Sequence, residues 1–442
     1  MCKKTILLSV PGLREQDVAV MPKLQELTAG GEIADLVPSF PCVTCPVQAN
    51  MTTGKLPAAH GVVANGFYWR RPPRVEMWTS GNDCIAGPQI WDVLSRRDEP
   101  LTSAVWFPLH ARGCGADYVC TPAPIHHPDG GESLWCYTRP TELYGELRDK
   151  LGHFPLQHFW GPMADVRSSA WIADSAVIAA RRWRPDFFYI YLPHLDYAAQ
   201  RTGPDSAAAR KAVGELDDVI GALAEGFGEA YRDALLWLVA GEYAIRPVDH
   251  VEYPNRLLRE AGLLAVSREE DGEHLDLAAS RAWALVDHQF SHVFVADGDP
   301  NTAAAVAEVF AGRPGIAEVL VGPRRARRSL DHTRSGEVVL ISAPHSWQAY
   351  YWWLADDCAP AFARTVDIHG KPGYDPMELH FDPIAKGISL EVTRIGGSHG
   401  APAEDAAGRS VIVASEPILF PGPTMADVDV YDIVLRHFGV VH

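Results

Sequence analysis

Short apolar runs alternate along the chain with longer segments of helical periodicity. The runs Ile6–Val10, Phe187–Leu192 and Leu235–Ala240 are almost continuously apolar, which is typical of strands buried on both faces of a sheet. Ala207–Phe227 places apolar side chains at every third or fourth position and therefore predicts an amphipathic helix. This alternation predicts an α/β fold with a doubly wound, mostly parallel sheet that carries helices on both faces.

Weaker patterns complete the predicted order of elements. They indicate a strand over Ile33–Val37 and helices over Pro22–Ala29, Cys45–Thr53, 167–182 and Asn255–Ala261. Pro46 opens the second of these helices, where the missing N–H has no cost.

The domain organisation follows from the same patterns. We interpret 1–442 as a single α/β domain, with a small inserted α/β subdomain at 290–325. Residues 65–160 are rich in Trp, Pro, Gly and Cys and have weak periodicity. They predict a long, loop-rich region over the sheet edge and the site. Its tryptophans either line an apolar substrate pocket or pack at the edge of the core.

Composition and charge limit the partners and the cellular location that we expect for the protein. The chain has 442 residues and a formal net charge of −17, so an acidic surface disfavours nucleic acid. The sequence contains no apolar stretch of about 18 residues, so we expect no membrane span. The N-terminus does not resemble a signal peptide, and we therefore expect a cytoplasmic protein whose eight cysteines are free thiols. The oligomeric state is left open.

Polar residues follow the predicted strands. Thr44 lies after the second strand, and Asp196 and Glu242 follow the two apolar runs in the middle of the chain. His399 lies in a glycine-rich segment near the C-terminus. Because sites in open α/β sheets form at the carboxyl ends of the strands, we expect these four side chains to converge on one cleft.

Five segments carry a resemblance to a known family. They are VPSFPCVTCPVQANMTTGKLPAAHGVVANGFYW (37–69), LDYAAQRTGPDS (195–206), YPNRLLREAGLL (253–264), HGKPGYDP (369–376) and GGSHG (396–400). In this order they resemble the type I phosphodiesterase/nucleotide pyrophosphatase family of the alkaline phosphatase superfamily. The resemblance implies hydrolysis of phosphoric esters by a Thr nucleophile and two zinc ions held by Asp and His at strand ends.

Matched position by position, the resemblance is incomplete. It places Thr44 at the nucleophile, Asp196 at the first residue of a metal-binding Asp-x-x-x-His motif and His399 at the late His ligand. The departures are Pro11 in place of the first-strand Asp, Gln200 in place of the motif His, Gly241-Glu242 in place of an Asp-His pair, and Val47 in place of a phosphate-binding Asn.

The departures predict at most one divalent metal ion, with zinc as the expected metal. Its predicted ligands are Asp196, His399 and Glu242, with His194 and His369 as further donors. Glu242 is also a candidate base. The predicted substrate is a phosphorylated small molecule, and its predicted contacts are Gln48, Asn65 and Tyr197.

Each of these residues also has a purely structural explanation. Thr44 could be an ordinary turn residue, Asp196 could cap the helix that follows it, and His399 could be a loop histidine whose hydrogen bonds are made within the protein. The adjacent pair Asp287 and His288 could bind a metal, but we expect both residues in surface loops.

Three functions are compatible with the sequence. The first is a phosphodiesterase-like hydrolase with a rearranged site. The second is an enzyme of different chemistry in small-molecule biosynthesis, since the chain is also similar to phosphodiesterase-like proteins of ebo-type metabolite clusters. The third is a non-catalytic binding protein, which a pocket filled by side chains would favour.

Overall fold

A nine-stranded sheet forms the centre of the protein. The computed structural model describes residues 4–126, 132–232 and 234–440. In chain order the strands of this sheet are β1 (Lys4–Ser9), β2 (Glu32–Val37), β3 (Ser103–Trp106), β4 (Tyr118–Pro122), β5 (Cys136–Arg139), β6 (Phe187–Tyr191), β7 (Leu235–Ala240), β8 (Ser410–Ala414) and β9 (Thr424–Ala426). Their spatial order is β9-β2-β8-β7-β1-β6-β3-β4-β5.

Most of these strands run in one direction. β7, β1, β6, β3 and β4 pair in parallel. β8 is antiparallel to β7 and β2, and β5 is antiparallel to β4. The carboxyl ends of the parallel strands therefore meet at one edge of the sheet, as the sequence predicts.

Helices cover both faces of the central sheet. In the described residues the α-helices are α1 (Glu15–Val18), α2 (Pro22–Leu27), α3 (Thr44–Thr53), α4 (Pro57–His60), α5 (Ile90–Ser95), α6 (Leu143–Leu151), α7 (Val166–Trp183), α8 (His194–Thr202), α9 (Ala207–Tyr231), α10 (Pro254–Glu260), α11 (Pro300–Phe310) and α12 (Asp429–His437). Of these, α10 and α11 pack on a second sheet. In β1, Ile6 and Leu8 join the core under α2, α6, α7 and α9, whereas Leu7 joins the core under α3, α5 and α12. The doubly wound α/β prediction is thus confirmed. Within the described residues, no helix is long and apolar enough to cross a membrane.

A second, antiparallel sheet has four strands. In spatial order they are Ala282–Asp287, Phe290–Val295, Val338–Ser342 and Ile316–Val321. The segment 290–325 lies inside this unit, whose strands begin earlier and end later than the predicted insert. The assignment of the insert as a separate subdomain stays a prediction.

The region 65–160 contains more regular structure than its composition indicates. It supplies β3, β4 and β5 as well as a hairpin of Gly66–Arg70 with Pro73–Met77. These strands have only four or five residues, which is too few to produce a clear periodicity.

The remaining strands are short. They are Ile125–His126, Glu132–Ser133, Arg246–Pro247, His250–Glu252, Ala265–Glu269, Gly272–Asp276, Ser346–Gln348, Phe381–Asp382, Gly387–Ile388 and Gly397–Ser398.

A buried group of three charges fixes the segment after residue 365. Lys371 Nζ lies 2.7 Å from Asp375 Oδ2 and 2.9 Å from Glu378 Oε1. The lysine and the glutamate are fully buried. Glu378 Oε2 also accepts a hydrogen bond from Trp160 Nε1 at 2.6 Å. One ammonium group therefore holds two buried carboxylates, and one of these carboxylates also holds the Trp160 side chain.

Replacing this lysine tests the arrangement. Lys371→Met would leave two carboxyl groups buried without their cation, and we expect a loss of about 3–5 kcal/mol in the free energy of unfolding. Denaturant unfolding measures this loss. The matched change at the exposed Lys386, Lys386→Met, should stay within about 0.5 kcal/mol of the native chain. Equal stabilities of the two variants would contradict the assignment.

Candidate functional site

A cavity of about 630 Å³ opens at the carboxyl edge of the central sheet. This volume lies in the usual range for small-molecule sites. Polar side chains that line it include Thr44, Asp196, Tyr243 and His288. Its aromatic wall contains Trp78, Phe159, Trp160, Tyr191, Tyr197 and Tyr374. The pocket is therefore open and joins polar groups to a large aromatic surface.

Thr44 begins α3 at the cavity wall. The helix starts one residue earlier than predicted, so Pro46 is its third residue and still lies in the first turn. The Thr44 hydroxyl lies 2.9 Å from the Tyr243 hydroxyl. Because the N-terminus of a helix carries partial positive charge, this position favours a negatively charged group beside the Thr44 hydroxyl.

Asp196 and His399 form a buried pair near Tyr243, whose ring stacks on His399. Asp196 Oδ2 accepts a hydrogen bond of 2.7 Å from Gln200 Nε2, and His399 Nδ1 lies 2.9 Å from the Cys42 carbonyl oxygen. Asp196 Oδ1 and His399 Nε2 are 3.7 Å apart. Neither of these two atoms has a hydrogen-bond partner among the described residues.

Burial shifts the protonation of both groups. It raises the pKa of Asp196 to about 7 and lowers the pKa of His399 well below its usual value. The hydrogen bond from Gln200 opposes the shift of Asp196 but is the smaller effect. Near neutral pH the pair therefore lacks a fixed positive charge.

Glu242 lies behind the cavity wall, fully buried after β7. Its Oε1 accepts hydrogen bonds from the Ser9 hydroxyl and, at 2.9 Å, from Gln48 Nε2. Its Oε2 has no hydrogen-bond partner in the part of the chain that the structure describes. Burial raises the pKa of Glu242 to about 8, so a proton resides on it at neutral pH.

Tyr243 connects these groups. Its ring stacks on His399 with 3.8 Å between ring centroids, while its hydroxyl contacts Thr44. The structure therefore brings Thr44, Asp196, His399 and Glu242 to one site, with Glu242 reached through Gln48 of α3. Their chemical roles stay predictions.

The other predicted residues have varied surroundings. Tyr197 and His369 line the cavity, and His369 Nδ1 lies 3.0 Å from the Met77 carbonyl oxygen. His194 does not line it and instead places its Nε2 3.1 Å from Glu215.

The two amides predicted to bind substrate make hydrogen bonds within the protein. Gln48 Oε1 accepts a bond of 2.8 Å from the Leu109 N–H, in addition to the bond from Gln48 to Glu242. Asn65 Oδ1 accepts one from the Cys45 N–H at 3.0 Å, and Asn65 Nδ2 donates to Asp287 at 3.0 Å. Both side chains are buried in the structure and position α3.

Asp287 and His288 are not in a surface loop, so that expectation is wrong. Both are buried, with 1% and 2% of their surface exposed. They end the strand Ala282–Asp287 and turn into Phe290–Val295, and this turn packs against His399. The apolar run on each side of the pair, AWALV and FSHVFV, was the signal for a buried hairpin.

Other contributing residues had no such signal. Ser9, Tyr243 and Tyr374 were not assigned to the site from the sequence. Tyr374 donates a hydrogen bond of 2.6 Å to Gln200 Oε1, so it orients the amide that holds Asp196.

The side chains fit a two-metal site poorly. Asp196 Oδ1 and His399 Nε2 can supply two ligands to one ion, but structural zinc needs four ligands and catalytic zinc usually three from protein. In the described part of the chain, the one group of three or more such donors within 4.8 Å of one another is Glu269, Asp271 and His274. That group belongs to the hairpin of Ala265–Glu269 with Gly272–Asp276, outside the cavity.

Solved structures of known proteins share this architecture. Murine ectonucleotide pyrophosphatase/phosphodiesterase 5, as an inactive variant in complex with AMP, superposes with a TM-score of 0.63 at 14% identity. The match covers 99% of this chain and 96% of that chain. A structure of the same mouse protein described without AMP gives a TM-score of 0.63 at 13% identity. The fold is that of the alkaline phosphatase superfamily.

Sequence comparison identifies the family. The family model for type I phosphodiesterase/nucleotide pyrophosphatase matches residues 5–375, and the chain belongs to this family. An uncharacterized pyrophosphatase/phosphodiesterase of Schizosaccharomyces pombe is 27% identical over 229 residues, which are 50% of this chain and 40% of that protein. Ectonucleotide pyrophosphatase/phosphodiesterase family member 1 of Rattus norvegicus is 20% identical over 259 residues, which are 53% of this chain and 23% of that protein. The matches span less than half the length of these relatives.

The raised pKa of Glu242 predicts a pH-dependent stability. A carboxyl group whose pKa rises from 4.5 to about 8 on folding stabilises the protein fully below 4.5, and this stability is lost as the pH rises to about 8. The loss is at most about 1.4 kcal/mol per pH unit in that window. Glu242→Gln stays neutral, so we expect this variant to be more stable than the native chain at pH 9 and similar to it at pH 4.

Thermal melts at both pH values measure the effect. The matched variant Glu260→Gln changes an exposed carboxyl and should follow the native chain at both pH values. A Glu242→Gln variant that loses stability at pH 9 would show that the carboxylate itself is needed there.

Proposed function

We propose that this chain is a phosphodiesterase-like hydrolase that acts on a phosphorylated small molecule in the cavity. The observation that carries the proposal is the position of Thr44 at the start of α3, where its hydroxyl contacts the Tyr243 hydroxyl and where Thr44, Tyr243 and Asp196 line the same cavity. Family membership supports phosphoric-ester chemistry at this residue.

The proposed reaction uses the Thr44 hydroxyl as the nucleophile. Its oxygen forms a bond to phosphorus while the bond from phosphorus to the leaving oxygen breaks. The proton leaves Thr44 through the hydrogen bond to Tyr243 and is returned to the leaving oxygen. Water then forms a bond to phosphorus as the bond to Thr44 breaks, which restores the hydroxyl.

The cavity lining supports a particular kind of substrate. Among the described residues that line it, Arg112 alone has a permanent positive charge and suits a phosphate oxygen at the rim. Trp78 and Trp160 offer flat apolar surfaces to the rest of the molecule. The mouse neighbour binds AMP, and a substrate of that size is compatible with the cavity volume of about 630 Å³.

This proposal allows for at most one metal ion. Asp196 and His399 would hold one divalent ion, with zinc as the expected metal, and such an ion would polarise a phosphoryl oxygen. The other predicted donors do not gather around this pair. We therefore assign no step of the reaction to an ion.

A second candidate function is an enzyme of different chemistry in small-molecule biosynthesis. It is favoured by the two carboxyl groups whose pKa values burial raises to about 7 for Asp196 and about 8 for Glu242. Such values suit proton transfer near neutral pH without a metal. The open cavity argues against the non-catalytic alternative. We also propose a cytoplasmic location.

Hydrolysis of bis(p-nitrophenyl) phosphate tests the first function. We expect slow turnover, because a hydroxyl without a two-metal clamp is a weak nucleophile. Thr44→Ala should lower the rate about 100-fold or more, whereas Thr44→Ser keeps the hydroxyl and should retain measurable activity. Slow turnover that is unchanged in Thr44→Ala would favour the second candidate function. Fast turnover by the native chain would contradict the proposal that the site is altered.

Elemental analysis tests the metal assignment. We expect no more than one transition-metal ion per chain after dialysis, because Pro11, Gln200 and Glu242 replace family ligand positions. Asp196→Asn combined with His399→Ala should remove any ion present, whereas the exposed His345→Gln should not. Two tightly held zinc ions per chain would refute the prediction.

A further inference from the structure

Asp287 and His288 form a side-chain pair within the site that the family resemblance does not assign. Asp287 Oδ1 lies 2.6 Å from His288 Nδ1, and His288 lines the cavity together with Thr44 and Asp196. The pair comes from the antiparallel sheet, whereas Thr44 and Asp196 follow strands of the central sheet. Two separate parts of the fold therefore meet at this point.

The backbone at His288 has a conformation that residues other than glycine rarely adopt. His288 is the first residue of a two-residue hairpin turn and has φ +57°. That position is normally glycine, and another residue there costs roughly 1–2 kcal/mol. Strain of this kind, held by the surrounding structure, is common at functional sites.

Neighbouring contacts hold the turn rigidly. The Gln289 N–H donates to the His399 carbonyl oxygen at 3.0 Å, and the Gln348 N–H donates to the His288 carbonyl oxygen at 2.9 Å. The His288 ring lies between two other rings, with centroids 3.6 Å from Tyr374 and 3.9 Å from His399. The imidazole consequently has little freedom to rotate.

Asn65 connects the pair to the helix of the proposed nucleophile. Asp287 accepts hydrogen bonds from the Asn65 N–H at 2.8 Å and from Asn65 Nδ2 at 3.0 Å. The Asn65 side-chain oxygen accepts the N–H of Cys45, the residue after Thr44. A displacement of Asp287 and His288 would therefore also shift Thr44.

We propose that His288, oriented by Asp287, is a catalytic residue of the proposed hydrolase and accepts a proton from the attacking water. With Nδ1–H donated to Asp287, the lone pair is on Nε2, at the opposite edge of the ring. In the hydrolysis step the water oxygen bonds to phosphorus, the bond from phosphorus to Thr44 Oγ1 breaks, and the water proton passes through Nε2 to Thr44 Oγ1. This inference rests on the proposed function.

Steady-state kinetics with bis(p-nitrophenyl) phosphate test the pair. His288→Gly suits the positive φ, so it removes the imidazole without backbone strain. We expect kcat to fall about 100-fold or more with little change in KM, and added imidazole to restore at least a tenth of the native kcat. Asp287→Asn would reverse the ring tautomer and should lower kcat to a similar extent.

Control variants keep the outcomes separate. His345→Gln and Asp249→Asn change exposed residues and should leave kcat unchanged, and thermal melts confirm folding of each variant. Native-like kcat in His288→Gly, or a loss that imidazole does not restore, would overturn the role of His288 alone. A native chain without turnover of any phosphoric ester would overturn the proposed function and this inference with it.

Discussion

Three carboxyl groups are buried at one edge of the central sheet, and the arrangement of the site depends on the neutral donors that hold them. Ser9 and Gln48 donate to Glu242, Gln200 donates to Asp196, and Asn65 donates to Asp287. A buried carboxyl group without hydrogen bonds would be costly, so each of these donors is fixed in turn. The Tyr189 hydroxyl donates to Ser9, and the Leu109 N–H donates to Gln48. The Tyr374 hydroxyl donates to Gln200, and the Cys45 N–H donates to Asn65.

The sequence was sufficient where one physical rule determined the outcome. β1, β6 and β7 were predictable because strands buried on both faces are apolar throughout. Thr44, Asp196 and Glu242 lie together because the ends of parallel strands share one edge. The fold class and the neighbourhood of the site follow from these two rules alone.

The sequence did not show which side chains within the site reach one another, because this depends on their directions around a helix and on contacts between distant segments. His194 and Asp196 are two residues apart in α8, which separates their side chains by about 200° around the helix axis. His194 consequently points to α9 and cannot join Asp196 at an ion. Gln200 is one turn beyond Asp196, on the same face of the helix, so its amide reaches the carboxyl group. Tyr374 and His288 come from distant segments, and no local pattern indicated their approach.

One physical argument connects the replaced metal ligands of the family with the raised pKa values of the buried carboxyl groups. The resemblance implies carboxylates whose negative charge is balanced by metal cations. Here the carboxyl groups receive hydrogen bonds from hydroxyl and amide groups, which orient the oxygens but supply no positive charge. Burial then raises the pKa values to about 7 for Asp196, about 8 for Glu242 and about 6 for Asp287. Near neutral pH these values favour a proton on Glu242 and partial protonation of Asp196, whereas Asp287 stays ionised and can accept the His288 Nδ1–H. We therefore propose that neutral donors, in place of the metal ligands that the resemblance implies, suit this site to holding and moving protons.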